Sequence, residues 1–171
     1  LGVNRLSIGI QSFRQEDLKF MNRAHTAEQA LQCVIDAQRL GFNQISVDLI
    51  YGSPGLTDAA WIENLQKAAA LTINHLSCYA LTVEKGTPLD KQIRLGKEKS
   101  PEEEQAARQF ELLHAWSESA GFEHDEISNL ARPGARAKHN SGYWKGLPYI
   151  GIGPSAHSFS GSTRRMNVAN N

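Results

Sequence analysis

The sequence is short of cysteine, of net charge and of long apolar runs, and each shortage narrows what the chain can be. Two cysteines in 171 residues, Cys33 in a helical pattern and Cys78 in a strand pattern, stand too far apart to form a local metal-binding pair. They read as reduced, buried small hydrophobes. Eighteen basic side chains balance eighteen acidic ones, so overall charge gives a nucleic-acid partner no support. No apolar run approaches the roughly 20 residues needed to cross a bilayer, and no charged segment followed by an apolar one opens the chain. The expectation is a cytosolic (cytoplasmic) protein with no membrane span and no nucleic-acid partner. The first residue is Leu1 rather than Met and the last element does not close before Asn171, so the sequence reads as a fragment.

What is present is a β/α alternation. Arg5 to Phe13 places Leu6, Ile8 and Ile10 on one face and Ser7, Gly9 and Gln11 on the other. Ile45, Val47 and Leu49 oppose Ser46 and Asp48 in a second strand, which runs into the turn Gly52-Ser53-Pro54-Gly55. A third strand, His75 to Leu81, sets Leu76, Cys78 and Ala80 against Ser77, Tyr79 and Leu81. Each strand thus pairs an apolar, helix-facing side with an inner side that begins in serine. Small inner residues leave a lumen where branched ones would fill it.

Helices separate the strands. Thr26 opens a capping box closed by Gln29, and Ala27, Ala30, Leu31, Val34 and Ala37 recur at helical spacing up to Gly41. A second helix spans about Asp58 to Leu71, burying Trp61, Ile62, Leu65 and Ala69. A third begins with Ser100 as cap, Pro101 at the first helical position and Glu103 closing the box, and buries Ala106, Phe110, Leu113, Trp116 and Ala120. Val83 to Ser100 reads as a polar excursion, and Phe122 to Ser128 as a fourth strand. Beyond Leu130 glycine, proline and aromatics dominate without a helical period, predicting loops and short strands.

Three polar side chains stand out by position. Gln11 and Asp48 fall near the C-terminal ends of neighbouring strands, where β/α folds carry their chemistry, and Arg23 follows a short helical piece after the first strand. An amide, a carboxylate and a guanidinium suit a zwitterionic ligand with vicinal hydroxyls. The competing reading is a structural Arg23–Asp48 ion pair.

The runs GVNRLSIGIQSF, MNRAH, VDLIYG, EISN, HNSGYW and GIGPSAHSF resemble the oxygen-independent coproporphyrinogen III oxidase-like branch of the radical S-adenosylmethionine (SAM) proteins. Within it the likeness is closer to the HemW-type haem chaperones, for which the HNxxYW pattern at His139 to Trp144 is the discriminating feature. The resemblance implies an α/β fold: a partial (β/α)6 TIM-like radical SAM barrel, second half only, over residues 1–130. The start of an appended C-terminal α+β domain would follow over residues 131–171. It implies that Gln11 and Asp48 contact the SAM ribose and Arg23 the methionyl carboxylate. The full-length protein would bind a 4Fe-4S cluster, SAM and haem, and deliver haem to apoproteins. The alternative it leaves is the oxidase itself, a dehydrogenase acting on a porphyrinogen propionate; a SAM-independent scaffold is a third.

The CxxxCxxC loop of that family is absent, and three protein thiolates are needed for the cluster. This chain is therefore expected neither to hold the cluster nor to cleave SAM, and no catalytic residue is assigned. Asp125 stands where the family pattern has tyrosine. His139 is the candidate haem ligand, beside the flat surfaces of Tyr143 and Trp144. The plainer reading has His139 and Asn140 bonding a loop while Trp144 fills the core. His157 is a weaker ligand candidate, and the basic run Arg132, Arg136, Lys138 and Lys145 either meets propionates or is a solvated loop.

Overall fold

Alternating apolar residues become three parallel strands because one side of each is covered by helices. The computed structural model describes residues 2–170. They divide into two compact units, the first ending at Ala135 and the second beginning at Arg136.

In the first unit β1 (Arg5–Gln11) leads through α1 (Gln15–Phe20) and α2 (Ala27–Arg39) to β2 (Gln44–Tyr51). There follow α3 (Asp58–Ala70), β3 (His75–Ala80), α4 (Pro88–Arg94), α5 (Glu103–Ser119), β4 (Glu123–His124) and β5 (Asn129–Ala131). The sheet order is β1-β2-β3-β5-β4. β1, β2 and β3 are parallel, whereas β5 runs antiparallel to β3. The expected single strand from Phe122 to Ser128 is instead a short hairpin whose turn is closed by the Asp125 N–H donating to the Asn129 carbonyl at 2.8 Å. The EISN run is that turn and the first residue of β5.

Most of the helix-facing core follows the alternation; Ala80, expected on that side of β3, is exposed, and Leu130 of β5 joins the core from outside the expected strands. Ile10, Val47, Leu49, Leu76, Cys78 and Leu130 are buried on the sheet side, against Val34 of α2, Trp61 and Leu65 of α3 and Leu113 of α5. Trp61 has no exposed surface; its indole N–H donates to the Gln109 carbonyl at 3.0 Å and its ring lies 5.5 Å from that of Tyr51. Thr26 makes the predicted capping box with Gln29.

Several local expectations are corrected. Cys33 is exposed, because it lies off the Ala30–Val34–Ala37 stripe that α2 buries. Leu31 is 40% exposed for the same reason, and α3 buries Ala68 where Ala69 was expected. α5 starts at Glu103 with Glu102 as cap, and no side chain caps it. Its register follows from Gln105 and Gln109, whose amides donate to the Leu56 carbonyl at 2.9 and 2.8 Å. The polar excursion contains α4, capped by Thr87 with Pro88 at its first position.

The second unit also departs from loops and short strands, since HNSGYW forms the helix α6 (Lys138–Trp144). The hairpin of β6 (His157–Phe159) and β7 (Arg164–Met166) follows. Trp144 is 68% exposed and fills no core.

β1 has β2 as its sole neighbour in the sheet of the described residues, leaving one backbone edge open. Open edges template pairing with another chain. The 171-residue chain should therefore self-associate, its elution volume in size-exclusion chromatography falling as concentration rises; a monomer at every concentration would show the edge to be protected.

Candidate functional site

The register of the sheet brings polar side chains into rows on the face away from the helices. Ser7 pairs with Ser46, Ser46 with His75 and His75 with Ala131; one step on, Asp48 pairs with Ser77 and Ser77 with Asn129. The Ser46 hydroxyl lies 2.7 Å from His75 Nδ1, and the Ser7 hydroxyl donates to Asp48 Oδ1 at 3.3 Å. His75 Nε2 and Asn129 Oδ1 are buried without a partner among the described residues. Burial, and then the charge of Arg5, pulls the His75 imidazole from its ordinary 6.5 to about 4, so it is neutral at physiological pH. Burial, and then Asp48, pushes the Cys78 thiol well above its usual range, which leaves it protonated.

Gln11 and Asp48 are brought together. Between Ile8 and Gln11 the β1–β2 register shifts, and Gln11 takes a left-handed backbone (φ 66°). Its amide turns back over Gly9. A Cβ on Gly9 would stand 2.7 Å from Gln11 Nε2 and 3.9 Å from Asp48 Oδ2. The missing side chain therefore leaves room for the Gln11 carboxamide to lie over Gly9, on the same side of the sheet as the half-buried Asp48 carboxylate. That pair can donate to and accept from adjacent hydroxyls.

The turn after Gln11 is fastened by residues that the sequence did not single out. The Ser12 hydroxyl donates to Asp17 Oδ2 at 2.7 Å and accepts from Asn64 Nδ2 at 3.1 Å, while Asn64 Oδ1 accepts the Phe13 N–H at 3.0 Å. Arg14 adds an ion pair to Asp17 at 3.1 Å. Burial raises the Asp17 carboxyl, against the pull of Ser12 and Arg14. The only sequence signal for this network was a run of polar residues at positions that turned out to be covered.

Arg23 sits in the loop that follows α1. Asn22 in a left-handed conformation (φ 53°) closes the helix, and the Arg23 N–H donates to the Leu18 carbonyl at 2.8 Å. That is the glycine-type helix stop, here made by asparagine. His25 Nε2 reaches the Ile10 carbonyl at 3.0 Å, tying the MNRAH loop to the end of β1. The guanidinium is exposed, and it makes no ion pair with Asp48 or any other carboxylate among the described residues. The structural ion-pair reading is thus set aside.

In the second unit His139 Nε2 lies 2.8 Å from the Tyr143 hydroxyl one turn along α6, with the rings edge to face at 4.8 Å. Tyr143 meets Tyr149 in the same manner at 4.8 Å. With His157 and Arg164 they line a groove of about 540 Å³. Such a volume is in the range of small-molecule sites, roughly 300–1,000 Å³. Arg132 belongs to neither a propionate site nor a solvated loop. It lies over the Phe122 ring at 4.6 Å and donates to the Ile73 and Ala120 carbonyls at 3.2 and 3.3 Å.

The residues present do not fit an iron–sulfur cluster. Among those described, no group of three His, Cys, Asp or Glu converges as a metal site, and the two thiols are apart, one exposed on α2 and one in the core. Gln11 and Asp48 do fit a ligand with vicinal hydroxyls.

Three parallel strands alternating with helices, with Gln11 at the C-terminal end of β1 and Asp48 beside it on β2, define a protein of the β/α class. Residues 1–68 match the Radical SAM superfamily. The haem chaperone HemW of Mycobacterium tuberculosis is 38% identical over 98% of this chain and 43% of its own length. HemW of Bacillus subtilis is 36% identical over 98% of this chain and 44% of its own. The mitochondrial radical S-adenosyl methionine domain-containing protein 1 of Bos taurus is 42% identical over 91% of this chain and 35% of its own. The chain is a homologue of part of the HemW haem chaperones, its first 68 residues matching the radical SAM superfamily, and it spans less than half the length of these relatives. Its fold is similar to that of the radical SAM enzyme coproporphyrinogen III oxidase HemN of Escherichia coli. The TM-score is 0.79 at 23% identity, over 99% of this chain and 42% of that one.

His75 makes stability depend on pH. Its folded-state value of about 4 lies below the ordinary 6.5, so the unfolded chain binds more protons between those limits and stability falls as pH drops through that window. Lowering pH from 7.5 to 5 should cost about 2 kcal/mol in urea unfolding. The slope should shrink by that amount in His75→Gln, and an unchanged slope would contradict the burial of a neutral imidazole.

Proposed function

We propose that the chain is the haem-binding and SAM-contacting part of a haem chaperone. In this reading the first unit is the second half of a (β/α)6 radical SAM barrel and the second unit opens the appended domain. Gln11 and Asp48 hold the ribose hydroxyls of SAM, and Arg23, carried on a loop fixed by His25, takes the methionyl carboxylate. SAM supplies a nucleoside and an amino-acid end for these groups to orient. The cluster would need thiolates that these 171 residues do not contain. Haem is the cargo, bound in the groove of the second unit and passed to haem-accepting apoproteins.

The observation that carries the reading is the groove itself, in which HNSGYW and GIGPSAHSF, two runs separated by residues 145–150, contribute His139, Tyr143 and His157 to one aromatic-walled recess. An imidazole and flat rings are what an iron porphyrin needs. Homology to proteins named haem chaperones over 98% of the chain supports the same assignment. The likeness to HemN at 23% identity is one of fold, and the oxidase activity is not advanced from it. The cytosolic location expected from the sequence stands as part of this proposal. No described helix is long and apolar enough to cross a membrane, and the vertebrate relatives carry a mitochondrial designation.

The test is titration of the chain with haem followed by its absorption bands. Binding should be saturable, and His139→Ala should weaken it about threefold by removing the partner of Tyr143. Absence of saturable binding would refute the haem reading, and unchanged affinity in the variant would remove His139 from the site.

A further inference from the structure

Two imidazoles line the groove of the second unit, and their surroundings differ. His139 Nε2 is already committed to the Tyr143 hydroxyl at 2.8 Å. The nitrogen that most readily reaches outward from a histidine is therefore engaged, whichever tautomer is present. The His157 ring is exposed and has no hydrogen-bond partner among the described residues. Its place in the hairpin is nonetheless fixed. His157 pairs with Met166 and Phe159 with Arg164, so these four side chains share one face of the β6–β7 ribbon. Arg164 is the diagonal neighbour of His157, a separation of roughly 7–8 Å between backbones. No carboxylate pairs with Arg164 among the described residues.

The backbone behind His157 is built to hold it. Gly151 lies so close that a Cβ there would come within 2.2 Å of the His157 carbonyl oxygen and 2.8 Å of its nitrogen. The Gly151 N–H donates to the Ser158 hydroxyl at 2.9 Å, and Asn167 Nδ2 donates to the Gly151 and Gly153 carbonyls at 3.3 and 2.9 Å. The first glycine of the GIG run thus has a steric purpose, which is to let the chain pass against β6 beneath the imidazole.

We propose that His157, and not His139, supplies the nitrogen that binds the iron of haem in this groove, and that Arg164 pairs with one of its carboxylates. The inference rests on the haem reading given above and deepens it. His139 with Tyr143 is then a hydrogen-bonded wall of the groove, a positioning pair that does not touch the metal. A metal centre with a peripheral carboxylate matches an unengaged imidazole and an unpaired guanidinium on one ribbon face.

The test uses the 171-residue chain, ferric haem and haem dimethyl ester, which lacks free carboxylates. In His157→Gly the absorption bands of imidazole-ligated haem should be lost and affinity should fall at least about tenfold. Added imidazole should restore the bands, which a misfolded variant would not allow. His139→Ala should keep the ligation bands while affinity falls about threefold. Arg164→Gln should weaken haem severalfold with unchanged bands and leave the dimethyl ester unaffected. Loss of ligation in His139→Ala with retention in His157→Gly would overturn the assignment and leave the haem reading standing. Failure of imidazole to restore the bands would also overturn it. Equal loss of haem and its ester in Arg164→Gln would remove Arg164 from the carboxylate. A wild-type chain that takes up no haem would defeat both the assignment and the reading beneath it.

Discussion

The first unit depends on one backbone constraint, the left-handed turn that Gln11 makes at the end of β1 (φ 66°). A non-glycine residue in that region costs on the order of 1–3 kcal/mol and persists when its surroundings over-determine it. They do so here. The Ser12 N–H returns to the Ile10 carbonyl at 2.8 Å, and His25 Nε2 reaches the same carbonyl at 3.0 Å. The buried Ser12–Asp17–Asn64 set then fastens the turn to α3. The consequence is functional: turning Gln11 back places its amide above Gly9, beside Asp48, where an extended strand would carry it past.

The partner strand is held with equal care. Gln109 of α5, fully buried, accepts the Gly52 N–H at 2.8 Å and donates to the Leu56 carbonyl at 2.8 Å, so the turn after β2 is clasped from the helix side. Trp61 packs beneath it. The core thus serves the site by fixing the two strand ends, each through buried amides rather than through the aliphatic contacts that give bulk stability. Such groups are costly to bury unless fully bonded, and here both ends of each amide are used.

Much of this arrangement was legible in the sequence. Period-two alternation assigned Ser7, Gly9, Gln11, Ser46, Asp48 and Ser77 to one face because a strand buried on its helix side leaves little choice of register. The Thr26–Gln29 capping box was legible because its chemistry is local. The antiparallel β5 was not, since three residues give no period and their direction is set by the turn at Asp125 to Asn129. The start of α5 was misjudged because Ser100 and Pro101 are a local signal, while Gln105 and Gln109 fix the helix through tertiary bonds. The helix at HNSGYW was missed because Gly142 lowers helix propensity in a seven-residue run. In the candidate site Gln11 and Asp48 were legible from strand position; Ser12, Asp17 and Asn64 were not, because a polar residue gives no sign of being buried. The shared groove of His139 and His157 could not be foreseen from either motif alone.

The account's most direct test is a double-mutant cycle on Gly9 and Gln11, read as unfolding free energy. If the Gln11 amide lies over Gly9, Gly9→Ala should destabilise the chain by about 1–3 kcal/mol through overpacking, and most of that cost should vanish when Gln11 is also alanine. An identical cost of Gly9→Ala in both backgrounds would show that Gln11 does not turn back over the strand, and the convergence with Asp48 would fall with it.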